Sequence, residues 1–181
     1  MAIDALVLPL LNVPLFQGLK PLQLTEIARR ADRIVYKPGD VIVTAHGEVD
    51  AAVLVVSGEA VRTEGPGLAT GANEAIPTGA LISEMTMLIE TECTSTVVAR
   101  TPVRALRITR SEMHAHMAED PSIADHFIAK ISGRLSSCVE GMREIDRTLA
   151  EIDEPGAVEA SALPAHRAAQ DAPASAAATV H

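Results

Sequence analysis

Gly79-Ala80-Leu81-Ile82-Ser83-Glu84-Met85-Thr86-Met87-Leu88 is followed, after Ile89, by Glu90-Thr91-Glu92-Cys93-Thr94-Ser95-Thr96-Val97-Val98-Ala99. This stretch decides how the chain is read. Physically it is a strand end, one helical turn, and a hydroxyl-rich segment that enters another strand. The start of a helix exposes unpaired N–H groups and a partial positive charge, which suits an anion. Glu84 stands where a carboxylate can accept a hydroxyl, and Thr94, Ser95 and Thr96 can offer neutral hydrogen bonds. Taken alone, the string is one that purely structural turns also produce.

Around it, residues 33–110 read as many short strands broken by glycine-containing turns, the pattern of a sandwich or roll. Ile34-Val35-Tyr36 runs into Lys37-Pro38-Gly39-Asp40, where Pro fixes φ and Gly accepts a positive one. Val41-Ile42-Val43 precedes Gly47-Glu48, and Val53-Leu54-Val55-Val56 ends at Ser57-Gly58-Glu59. Thr96–Ala99 and Val103–Ile108 complete the set, while Thr63–Gly79, rich in Gly and Pro, reads as a loop with weak strands. Upstream, residues 1–32 form an N-terminal helical segment. Its Leu22–Arg29 stretch has apolar residues at helical spacing, with Pro21 in the first turn.

Downstream, residues 111–153 read as helices, the first capped by Ser111. After Pro121, Ile128, Ile131, Leu135, Cys138, Met142, Ile145, Leu149 and Ile152 recur at alternating steps of three and four. That is an a/d seam on a helix of about 30 residues. Gly133 and Gly141 weaken the helix by about 1 kcal/mol each relative to Ala. A seam so narrow faces another helix, which implies a homodimer; the alternative is packing against its own β-domain. Ser136 and Ser137 fall on polar b and c positions. Residues 154–181 turn to Ala, Pro and Ser with few large apolar groups, and are expected to be disordered.

Composition narrows the function. Aromatic residues are only 2% of the chain and the net charge is −9, which argues against stacking platforms and against a phosphate-backbone interface, so no nucleic-acid partner is expected. Cys93 and Cys138 match no zinc or dithiol spacing and fit free thiols in a reducing cytoplasm. Ala5–Leu15 lacks a basic flank and is interrupted by Pro9 and Pro14, a poor signal peptide. With no long apolar run, no membrane insertion is expected. His114 and His116, two apart on a helix, diverge too far to share a metal. Neither a metal site nor a catalytic constellation can be assembled, so the chain does not read as an enzyme. Met85, Met87, Met113 and Met117 read as core or pocket lining.

The order of these motifs carries a resemblance. Val13-Pro14-Leu15-Phe16, Gly18-Leu19, Lys37-Pro38-Gly39-Asp40-Val41-Ile42, Gly47-Glu48, Val55-Val56-Ser57-Gly58-Glu59-Ala60-Val61 and the Glu84 stretch follow one another as in the cyclic-nucleotide-binding domain family. The chain resembles the effector domain of catabolite-activator-like regulators from about Val13 to Ile152. The resemblance implies an α+β, mainly β fold: an eight-stranded, jelly-roll-like β-roll flanked by short N-terminal helices and a long C-terminal helix. It also implies a ligand site at Ser83, Glu84, Met85, Cys93, Thr94 and Ser95, with cAMP or cGMP as the effector. Glu84 falls on the family's ribose-binding Glu. The family's Gly is Ser83 here, its Pro is Glu92, and its phosphate-binding Arg is Cys93.

That last departure counts against cAMP and cGMP, because Arg supplies both charge and a bidentate fork to the phosphate. Truncating one partner of a buried charge pair lowers affinity about thirtyfold or more. Glu90 and Glu92 nearby add repulsion. Arg62 and Arg100 are the basic residues at hand as substitutes, though nothing in the sequence connects either with the site. Three readings follow: a dimeric sensor that couples effector occupancy to its long helix and a protein partner; a nucleotide-independent scaffold for protein association; and, least supported because no helix-turn-helix follows Ile152, a transcription regulator.

Overall fold

The computed structural model describes residues 7–69 and 71–153, excepting the side chains of residues 151–153. The residues between the flanking helices form eight strands in two antiparallel four-stranded sheets. In chain order these are β1 (Asp32–Tyr36), β2 (Val41–Val43), β3 (Ala51–Ser57), β4 (Ala60–Glu64), β5 (Glu74–Ile76), β6 (Leu81–Ile82), β7 (Thr96–Ala99) and β8 (Val103–Thr109). One sheet runs β1-β8-β3-β6, the other β2-β7-β4-β5. Helices α1 (Leu8–Leu11) and α2 (Pro21–Arg30) precede them, and α3 (Arg110–Glu119) and α4 (Pro121–Asp153) follow. The described residues divide into two units at Ser137/Cys138, the second being the later turns of α4.

Strand β3 shows why the roll forms. Its Ala-Ala-Val-Leu-Val-Val run is apolar at nearly every position because both faces are covered. Ala52 and Leu54 join a cluster with Leu10, Leu15, Phe16, Leu24, Ile27, Met113, Ile123 and Phe127 of the helices. Val53 and Val55 turn the other way, to Val43, Cys93, Val97, Ala99, Val103 and Ala105. Side-chain alternation along a strand thus builds two cores, each buried Leu or Val contributing about 1.5–3 kcal/mol. The β3–β4 turn requires glycine: Gly58 has φ +96°, and a Cβ there would lie 2.4 Å from the Pro102 carbonyl oxygen.

Polar bonds fix the helices. The buried Gln23 side chain accepts from the Lys20 backbone N–H (2.8 Å) and donates to Asp120 (2.7 Å) and Ser122 (3.0 Å), joining α2 to the α3–α4 junction. Asp120 also accepts from the Ser122 N–H (3.1 Å), covering a free donor at the start of α4. Arg30 pairs with Glu119. The cap of α3 is Thr109, whose hydroxyl accepts from the Glu112 N–H (3.3 Å), and not Ser111, which lies within the helix. The α1 turn at Leu8–Leu11 forms despite Pro9 because Pro is tolerated in a helix's first turn.

Helix α4 begins with Ile123 and Phe127 fully buried, Phe127 edge-on to Phe16 at 6.0 Å between ring centres. Ile131 is half-buried and packs on the same cluster, so it belongs to this inner row more than to the seam expected for it. The other seam residues Ile128, Leu135, Met142, Ile145 and Leu149 are 56% to 66% exposed, and Cys138 is exposed. The side chain of Ile152 lies outside the described residues, as do residues 154–181. Among the described residues no helix is long and apolar enough to cross a membrane.

Candidate functional site

The two halves of the Gly79–Ala99 stretch meet. Strand β6 pairs with β3 (Val53 with Ile82, Leu54 with Leu81), and the chain then leaves the sheet through Ser83. Ser83 has φ 55° and ψ 46°, the left-handed region that a β-carbon disfavours. Thr86, buried in the following turn, has its hydroxyl 2.7 Å from both the Ala51 and the Ser83 carbonyl oxygens. The turn Glu84–Met87 is a four-residue 3₁₀ turn, not the start of an α-helix. It is too short to sum a macrodipole, so the anion site expected from a helix N-terminus is not built here.

The second half is anchored from the other sheet. Cys93 accepts a backbone hydrogen bond from the His46 N–H (2.7 Å) and donates its own to Gly47 (3.3 Å). Its side chain is 5% exposed, with Sγ 3.1 Å from the Ser83 hydroxyl and donating to the Ser95 carbonyl at 3.1 Å. Cys93 therefore ties Ser83 to Ser95 in the place where an Arg was expected from the resemblance.

Between them opens a cavity of about 420 Å³, walled by Ser83, Glu84, Met85, Cys93, Thr94 and Ser95, every site residue expected from the sequence. Leu81, Ile82 and Val97 add apolar lining, and Thr86, Thr91 and Glu92 polar lining. Thr96 is not among the walls: it accepts from the Ala45 N–H (3.0 Å) and donates to Glu64 (2.9 Å). Glu90 borders a separate hollow with Glu48, Asp50 and Arg110. Of the methionines, Met85 reaches the cavity, Met87 and Met113 are buried, and Met117 packs on the helical core.

Two arginines bear on the site, one of them in the wall. Arg134, on α4, pairs with Glu84, fifty residues distant in sequence. Nothing in the heptad spacing marked it, because it is a polar position of that repeat. Arg62, on β4, lies in the cavity wall itself. Its guanidinium pairs with Glu74 on the neighbouring β5, and its Nε is buried without a hydrogen-bond partner. Leaving such a donor unpaired costs about 1–3 kcal/mol. Arg100 is exposed and is not among the cavity residues. On α4, Ser137 donates back to the Gly133 carbonyl at 3.1 Å, and Ser136 is exposed. Chemically, the lining carries two carboxylates (Glu84, Glu92), five hydroxyls (Ser83, Thr86, Thr91, Thr94, Ser95) and the Arg62 guanidinium among apolar side chains, a set for holding a polar small molecule.

Comparison with known proteins agrees with this geometry. Residues 33–120 match the family model described as "Cyclic nucleotide-binding domain". No curated protein matches the chain. Among solved structures, it is similar to the N-terminal domain of a transcriptional regulator from Streptomyces coelicolor A3(2), at 19% identity and TM-score 0.65 over 71% of this chain and 90% of that one. A cyclic nucleotide-binding-like protein from Brucella abortus matches at 24% identity and TM-score 0.56, over 64% of this chain and 99% of its own. The catabolite activator protein of Thermus thermophilus matches at 25% identity and TM-score 0.57, over 74% of this chain and 63% of its own.

Proposed function

We propose, from the premise that residues 33–120 of this chain are a cyclic nucleotide-binding domain, that the protein is a non-catalytic sensor of a small effector and acts as a homodimer paired along α4. The observation that carries this reading is the Glu84–Arg134 pair. Glu84 belongs to the cavity and Arg134 to α4, so a ligand hydroxyl that claims the Glu84 carboxylate competes with the helix for it. Occupancy and helix position are then coupled, since a ligand shifts a conformational equilibrium by its differential contacts with the two states. The exposed Leu135, Met142, Ile145 and Leu149 support the pairing, because an aliphatic row at heptad spacing gains by being covered. Ile131 contributes less than its spacing suggested.

Calorimetric titration of the full chain with cAMP and with cGMP tests the sensor. Saturable binding that also weakens in Glu84→Gln supports it. Absence of heat, and of any thermal shift, for both nucleotides favours the second reading, a nucleotide-independent scaffold for protein association. One observation speaks for that rival: Cys93 fills the Arg position as a buried side chain with both of its contacts inside the protein. Creation of binding by Cys93→Arg, where none existed before, would strengthen the scaffold reading.

A further inference from the structure

We infer that a second site, a groove on the helix-bearing face of the β1-β8-β3-β6 sheet, docks a segment of a partner protein in which carboxylate and aliphatic side chains alternate closely. Strand pairing builds the groove. Arg33 lies opposite Leu106, and Val35 opposite Arg104. Residues two apart on a strand share a face, so these four side chains stand on one side of the sheet. Leu106 packs into the helical core, which identifies that side as the one the helices cover. The two arginines are diagonal neighbours, their Cα atoms about 7–8 Å apart. Val35 and Leu106 hold the opposite diagonal. Val56 of β3 and Pro9 of α1 join them around a hollow of about 380 Å³. It shares no residue with the cavity around Glu84.

Charge complementarity names the occupant. The chain has 24 acidic against 15 basic residues, yet among the described residues no Asp or Glu lines this hollow. Arg29, Arg30, Arg62, Arg107, Arg134 and Arg147 all pair with carboxylates, whereas Arg33 and Arg104, both exposed, pair with none among the described residues. A guanidinium is weakly hydrated and grips a carboxylate with two parallel bonds, which suits it to an interface. The apolar side is open as well. Val35 is 63% exposed on β1, the edge strand of its sheet, where an uncovered aliphatic invites pairing with another chain. The crossed diagonals then select among anions. Nucleic acid brings phosphates and nothing for Val35, while a fatty acid brings one carboxylate for two guanidiniums. A peptide with acidic residues beside aliphatic ones meets both diagonals.

The test is selection of a displayed library of random dodecapeptides on the full chain, after depletion on the double variant Arg33→Glu with Arg104→Glu. Recovered sequences are expected to place Asp or Glu next to Val, Ile or Leu. Synthesised and labelled, they should bind the unaltered chain saturably by fluorescence anisotropy, and the double variant about tenfold or more weakly. Val35→Ser, which keeps both arginines, should weaken them too. Arg100→Glu, at an exposed arginine outside the hollow, should leave binding unchanged. Failure to recover any sequence that distinguishes the two forms overturns the inference, as does recovery of aliphatic sequences without Asp or Glu. Pelleting of the unaltered chain with phosphatidylglycerol vesicles that is lost in the double variant overturns it in favour of a lipid surface. A halved solution mass in the double variant overturns it in favour of a second copy of this chain.

Discussion

Helix α4 carries two rows of apolar side chains. Ile123, Phe127 and Ile131 lie against the helical core, the first two fully buried. Ile128, Leu135, Met142, Ile145 and Leu149 stand in solvent at more than half their full exposure. Composition does not distinguish the rows, since both are large and aliphatic or aromatic. Their phase does: steps of four from Ile123 follow the 3.6-residue helix onto its own domain, whereas Ile128, Leu135, Met142 and Leu149 recur every seven residues, the 3.5-residue period of a supercoil. The inner row fastens the helix to the fold, and the outer row is the face the proposed pairing would cover.

Substitutions in the two rows should therefore fail differently. Phe127→Ala removes a buried ring from the inner row and should lower unfolding free energy by about 3–5 kcal/mol. Urea titration should show that loss at every protein concentration. Leu135→Lys with Met142→Lys places charge in the outer row. It should convert a dimer to single chains while leaving single-chain stability within about 0.5 kcal/mol, as exposed sites do. The concentration dependence of the melting temperature that a dimer requires of the unaltered protein should vanish with it. A large loss of single-chain stability in the double variant would erase the distinction between the rows.

Acid should act on the inner row first, through its junction. Hydrogen bonds from Arg30 hold the Glu119 carboxyl below its ordinary range, and hydrogen bonds from Ser122 and Gln23 do the same for Asp120. Depressed carboxyl pKa values mean stability that is present in full above about pH 5 and lost as pH falls through about 4 and below. Asp120→Ala should flatten that acid limb in a pH series of urea midpoints. The smallest effect belongs to the cavity. Ser83→Gly relieves the left-handed backbone and should raise stability by about 1 kcal/mol or less, partly offset by the lost contact with Cys93.

Much of this was legible in the sequence where a repeat speaks for itself. The short β-branched runs, the Pro-Gly and Ser-Gly turns between them, and the order of motifs pointed to the roll, and Glu84, Cys93 and Ser95 line one cavity. Thr96 was not separable from its neighbours, because three adjacent hydroxyls look alike until the strand assigns one of them to Ala45 and Glu64. Arg134 and the wall position of Arg62 were hidden for a different reason. Both side chains reach across from other elements, and neither spacing nor composition encodes that reach. Ile131 sits where the inner and outer rows come close, so a period of 3.5 assigns it to one and packing to the other.

The account depends most on the outer row being a self-pairing face. Sedimentation equilibrium of the full chain over a wide concentration range measures this directly. A mass twice that of the single chain, falling to one chain in Leu135→Lys with Met142→Lys, is the predicted result. A single-chain mass for the unaltered protein up to its solubility limit would contradict it.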